Sequence, residues 1–160
     1  MTEAMIAKAN ENKQKLGYQN VKFILGEIED LPIQENSIDV VISNCVLNLV
    51  PDKHLAYKEV HRVLKSNGHF NMSDVVLRGE LPKGILEATE MYASCISGAM
   101  EKEAYLEAIT QAGFKNLKIT KEAEITIPDD ILQQYATTEE ISKFKTGENA
   151  VISLGIYAEK

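Results

Sequence analysis

The residues best suited to chemistry are two cysteines. Cys45 sits in Ser43-Asn44-Cys45-Val46-Leu47-Asn48-Leu49, just past an apolar run. Cys95 sits in Cys95-Ile96-Ser97-Gly98-Ala99, 50 positions later. Thiolates are soft donors, and a pair of them suits a thiophilic centre. That distance and the lack of a CxxC argue against a zinc site or a disulfide framework. The competing reading is that both are small buried hydrophobes, the common state of a cysteine thiol. A second group is acidic: Glu27, Glu29 and Asp30 in the turn Gly26-Glu27-Ile28-Glu29-Asp30-Leu31-Pro32. These are ligand contacts or solvated loop acids. Asp39 opens a strand, where aspartate is disfavoured, and reads as structural. Ser73-Asp74 falls at a strand end and reads equally as a site or a loop cap. His54, His61 and His69 show no metal-ligand spacing with any acid or cysteine.

The elements that must position these residues alternate between strand and helix. Residues 2–15 predict a helix capped by Thr2, with Glu3 in the first turn, Met5, Ala9 and Leu16 on one stripe, and Gly17 as its stop. Residues 21–25 and 38–43 predict short, almost wholly apolar strands, the pattern of strands covered on both faces. Asp52 caps a helix to about residue 65, ended by Asn67-Gly68. A strand over 69–76, a helix after Pro82 to about 93, and a helix over 102–112 stopped by Gly113 follow. Residues 114–120 and 125–127 read as strand, Pro128-Asp129 opens a short helix, and 151–158 is a terminal strand. Met5, Met72, Met91 and Met100 read as core filler. Alternation implies an α/β fold with helices on both faces, a parallel sheet finished by an antiparallel pair. Cys45 then lies past a parallel strand's C-terminal end, the edge where such sheets place ligands.

Bulk properties narrow the partners. At 160 residues the chain reads as one domain spanning 1–160. Its 44% hydrophobic and 26% charged content is ordinary for a globular protein. A net charge of −7 argues against nucleic acid or an anionic membrane. No apolar run suits a membrane span or a signal peptide, so the expected location is cytoplasmic.

The turn at 26–32, Ser37-Ile38-Asp39-Val40-Val41 and Ala112-Gly113-Phe114, in this order and spacing, resemble the Rossmann-like methyltransferases. The segments around Cys45 and Cys95, with Ser73-Asp74-Val75, are most similar to arsenite methyltransferases. That resemblance implies S-adenosylmethionine as cofactor. It implies trivalent arsenic, as arsenite or its thiol conjugate, held by Cys45 and Cys95 as the methyl acceptor, and a thiol reductant to complete the cycle. Ile28 and Glu29 would meet the adenine, with Glu27 as rival for the carboxylate role, and Asn44 and Val46 would line the cofactor pocket. A disulfide between the two cysteines is a further expectation during turnover.

The family opens with a strand, a glycine-rich turn and a second strand, for which no counterpart precedes residue 2. The fold is therefore expected to be N-terminally truncated. In the family those strands lie between residues 21–25 and 38–43. Their absence predicts an open slot, closed by rearrangement or by a homodimer across exposed edges. Two alternatives stand beside arsenic methylation: a methyltransferase for another small molecule, such as a quinone-like acceptor, and a non-catalytic truncated domain.

Overall fold

A computed structural model describes residues 2–82, 96 and 98–160. The chain opens with α1 (Glu3–Leu16), capped by the Thr2 hydroxyl accepting from the Met5 N–H and closed by Gly17 in the left-handed region. Both ends are as the residue types require, yet α1 buries no side chain. Met5, expected in the core, is exposed. Capping fixes where a helix starts and stops; burial needs a partner surface.

Residues 21–26 form no strand, contrary to expectation, and Phe23, Ile24 and Leu25 remain partly exposed. A strand exists only through its neighbour's hydrogen bonds, and none pairs here. β1 (Ile38–Asn44) follows, then a single 3₁₀ turn (Leu47–Leu49) and α2 (Lys53–Val63). The Asp52 carboxylate caps α2 by accepting from the Leu55 N–H at 2.9 Å. The helix ends at Val63, and β2 (Leu64–Arg78) begins at the next residue. Asn67-Gly68 thus lies inside a strand rather than at a helix stop. Gly68 is needed there for close approach: a Cβ would stand 3.0 Å from the carbonyl oxygens of Asp39 and Lys65.

The helix expected after Pro82 falls on residues outside those described, as does Met91. Next come α3 (Lys102–Gln111), β3 (Lys115–Ile125), α4 (Asp129–Tyr135), α5 (Thr138–Lys145) and β4 (Ala150–Glu159). The two strand pieces expected around 114–127 are one strand. α5 was not anticipated, although Thr137 and Glu140 form a capping box, each side chain accepting from the other's backbone N–H.

The sheet order is β1-β2-β4-β3. β1 and β2 are parallel; β4 is antiparallel to both β2 and β3. This is the parallel sheet with an antiparallel finish that alternation implied. On one face, Phe70, Met72 and Val76 of β2 and Ile152, Leu154 and Ile156 of β4 pack with Tyr57 and Val60 of α2 and Tyr105 and Ile109 of α3. Each such fully buried side chain contributes roughly 1.5–3 kcal/mol. The opposite face carries a smaller cluster of Val75, Ile96 and Val151, with Cys45, Leu77 and Ala99 against it. The far edge of β1 has no partner strand among the described residues. Val40 and Ile42 on this edge strand are exposed, Ile42 to 80%. Within one chain the slot stays open, and residues 21–25 do not rearrange to fill it.

Candidate functional site

Parallel β1 ends at Asn44, paired with Ser73 of β2. The chain then turns sharply because Cys45 adopts a left-handed conformation, φ 53°. Non-glycine residues occupy that region at a cost on the order of 1 kcal/mol, and such outliers gather at functional sites. The Cys45 N–H donates to the Ser73 carbonyl at 2.9 Å, which anchors the turn.

Beside this turn lies an apolar cleft of about 380 Å³. Ile28, Asn44 and Val46 line it, with Leu31, Val41 and Met72 among the other walls. Three of the four cofactor-contact expectations therefore converge on one place. The tight turn over 27–30, in which the Asp30 N–H donates to the Glu27 carbonyl at 3.2 Å, carries Ile28 to the cleft. Glu29 is not among the lining residues; its carboxylate accepts from the Asp52 N–H at 3.3 Å, at the N-terminus of α2.

The loop bearing Ile28 is held by residues that sequence reasoning passed over. Glu59 accepts the Leu31 N–H at 2.9 Å and two donors of Arg62 at 2.7 and 2.8 Å. Arg62 in turn donates to the carbonyls of Ile33 and Leu31, each at 3.0 Å. The Arg62 guanidinium holds the Glu59 carboxyl below its ordinary value. The signal was present as Glu-x-x-Arg, an i,i+3 pair on one face of α2. Asp39 does what its structural reading implied, meeting Lys65 at 2.8 Å between the starts of β1 and β2.

Cys45 itself points away from the cleft, against the cluster containing Ile96. Cys95 lies outside the described residues, but the segment after it is placed. Ile96 is buried in that cluster, the Ala99 N–H donates to the Ile96 carbonyl at 3.0 Å, and Gly98 rests directly on the Asn48 carbonyl. A Cβ on residue 98 would collide with that carbonyl, which explains the glycine. The Cys45 turn, Ile96 and residues 98–100, which the sequence separates by dozens of residues, thus meet at one sheet edge.

Asp74, weighed as a loop cap, is instead inside β2 and only 3% exposed. Its carboxylate accepts from the Tyr105 hydroxyl at 3.0 Å. Burial pushes its pKa up, partly offset by that hydrogen bond. Lys53, pushed down by burial, donates to the carbonyls of Asn48 and Val50 at 3.3 and 3.2 Å and so holds the 3₁₀ turn. His61, half-buried, packs edge-on against Phe114. Among the described residues, no group of three or more histidine, cysteine or acidic side chains could hold a metal ion. No helix among them is long and apolar enough to cross a membrane.

A family model described as a methyltransferase domain matches residues 1–113. The arsenite methyltransferase of Halobacterium salinarum is 38% identical over 126 residues, which cover 79% of this chain and 32% of the relative. The mouse (Mus musculus) arsenite methyltransferase is 42% identical over 109 residues, covering 62% of this chain and 29% of that protein. Among solved structures, an arsenic(III) S-adenosylmethionine methyltransferase from Chlamydomonas reinhardtii superposes with a TM-score of 0.77 at 30% identity, covering 100% of this chain and 53% of that one. The YcgJ protein of Bacillus subtilis superposes equally well, TM-score 0.78, but at 19% identity this likeness concerns the fold. The chain spans about a third of the length of the curated relatives it matches.

Proposed function

The chain belongs to the methyltransferase domain family, and from that premise we propose that it carries the acceptor site of an arsenite methyltransferase, residues 1–160 acting as one domain. S-adenosylmethionine, the family's cofactor, would supply an electrophilic methyl group. The acceptor would be trivalent arsenic bound by the thiolates of Cys45 and Cys95. The observation that supports this reading is that residues flanking Cys95 reach the Cys45 turn, with Gly98 seated on Asn48 and Ile96 in the cluster against which Cys45 packs.

The cleft suits the cofactor's adenine on its own terms. Its walls are mostly apolar side chains from the 28–33 loop, β1 and α2, and it runs along β1 from Ile38 to the turn after Asn44. Ile28 and Val46 would flank the ring, Asn44 would meet the amino-acid portion, and Glu29 or Glu27 would accept from the exocyclic amine. The contribution of the chain is alignment and exclusion of water rather than proton transfer. Cys45 stands between two cleft residues, Asn44 and Val46, but its side chain packs on the cluster around Ile96, so an arsenic atom on its sulfur would reach the methyl group only after the thiol turns toward the cleft. Arsenic(III) brings its own lone pair, so no general base is required at the acceptor. A thiol reductant returns the product to the trivalent state, and the reducing cytoplasm is the setting this chemistry requires.

Arsenite titration of the chain, read by quenching of free-thiol reactivity, tests the acceptor assignment. Cys45→Ser and Cys95→Ser should each weaken arsenite binding at least tenfold, since one thiolate replaces two. Arsenite affinity indifferent to both substitutions would sink the reading. Calorimetry with S-adenosylmethionine, comparing the parent with Ile28→Asp, tests the cleft separately.

A further inference from the structure

The β2 edge facing β1 is covered by three pieces of chain in succession. β1 covers it as far as Asn44. One position further, the Ser73 carbonyl accepts the Cys45 N–H at 2.9 Å. Two residues on, the Val75 carbonyl accepts from the side-chain amide of Asn48, Nδ2 to O 2.9 Å. Two residues further still, the Leu77 N–H donates to the Met100 carbonyl at 2.9 Å. Ser73, Val75 and Leu77 are alternate strand residues, so all three present main-chain groups to the same edge. Asn48 stands in for a strand exactly where the backbone has turned away.

We propose that Asn48 is a positioning residue for Cys45. Resting on the reading of Cys45 as a ligand for a thiophilic substrate, the inference is that the Asn48 amide sets how far the Cys45 turn stands from the segment 98–101. Three contacts make it suited to this. Its side chain, in a residue 2% exposed, hangs the turn on Val75. Its carbonyl is the surface on which Gly98 rests. Lys53 Nζ donates to that same carbonyl, which fixes the peptide's orientation. A buried strand carbonyl needs a donor, and the Asn48 amide supplies it from within the turn that holds Cys45 while the Asn48 carbonyl seats Gly98.

The test uses Asn48→Asp, close in shape but without the amide donor, and Asn48→Ala. Ile109→Val, in the core away from the edge, serves as a control for lost stability. Arsenite affinity of the full chain should fall about tenfold in both position-48 variants, comparable to losing one buried hydrogen-bond donor, and stay unchanged in Ile109→Val. Spacing is read independently in a Cys95→Ser, Ala99→Cys background with dibromobimane, which fluoresces only when it bridges two thiols. The bridge from Cys45 to position 99 should form readily with Asn48 and several-fold more slowly without it, while monobromobimane labels Cys45 at an equal rate in both. Unchanged bridging on loss of the amide, or no bridging in the parent, would overturn the proposal. Amide-dependent bridging without arsenite binding would leave Asn48 as the spacer and remove the arsenic reading instead.

Discussion

β1 and β4 are both read from the sequence as apolar strands, and they meet opposite fates. β4, Ala150-Val151-Ile152-Ser153-Leu154-Gly155-Ile156, lies between β2 and β3 and is buried along most of its length. β1, whose apolar part is Ile38-Asp39-Val40-Val41-Ile42, has a partner on one side only among the described residues, and Ile42 is 80% exposed. The difference is not in composition but in neighbours. An apolar run predicts a strand that can be buried; whether it is buried depends on what the rest of the chain, or another chain, places beside it.

The largest expected break in this contrast is in β4. Ile152→Ala should cost about 2–5 kcal/mol, because a fully buried side chain leaves a cavity that close packing cannot heal. Urea unfolding reads it, and a loss below about 1 kcal/mol would mean the sheet centre is looser than its burial implies. Tyr105→Phe comes next, at about 1–3 kcal/mol, because it strips the Asp74 carboxylate of its buried donor.

Asp74 also sharpens the comparison through pH. Its folded-state pKa is raised by burial, so the folded state favours the protonated form. The associated stability is fully present below the unfolded value, about 3.9, and is lost as pH rises through the higher folded value. Asp74→Asn removes that loss. Urea midpoints across a pH series should therefore favour the variant increasingly from about pH 4 upward; parallel profiles would mean the carboxylate is not desolvated.

Smaller still is the effect of freeing the turn. Cys45→Gly should stabilise the chain by about 1 kcal/mol by relieving the left-handed backbone, while abolishing the proposed arsenite binding. A variant that loses stability would show that thiol packing outweighs the strain. The smallest effect belongs to β1's open edge: Ile42→Thr should change monomer stability by no more than about 0.5 kcal/mol. A larger loss that grows with protein concentration would reveal that a partner covers this edge.

Much of the molecule was legible in the residues. Thr2, Gly17, Asp52 and Gly113 mark helix ends through groups that satisfy orphan backbone atoms, a local matter that a short window captures. Ile28, Asn44 and Val46 were grouped only by the family resemblance, since no strand among the described residues precedes the loop of Ile28, and it is the fold that brings them to one cleft. Residues 21–25 were misread because their apolar pattern is local, but strand formation is not. The hold of the Glu59–Arg62 pair on residues 31–33, the burial of Asp74 against Tyr105 and the Asn48 bridge to Val75 were hidden because each joins residues distant in sequence, and no spacing rule reports a side chain that replaces a backbone donor.

The sequence by itself determined the family, the strand–helix alternation, the helix starts at Thr2 and Asp52 and the two thiol motifs, since these rest on short-range patterns of residue type. Only the tertiary structure decided that the Cys45 turn and Met100 hang on one edge of β2, that Cys45 turns away from the cleft which its neighbours line, and that β1 has an open side among the described residues. Those outcomes depend on which backbone groups find partners across the sheet, and pairing between distant segments is settled by the packed whole.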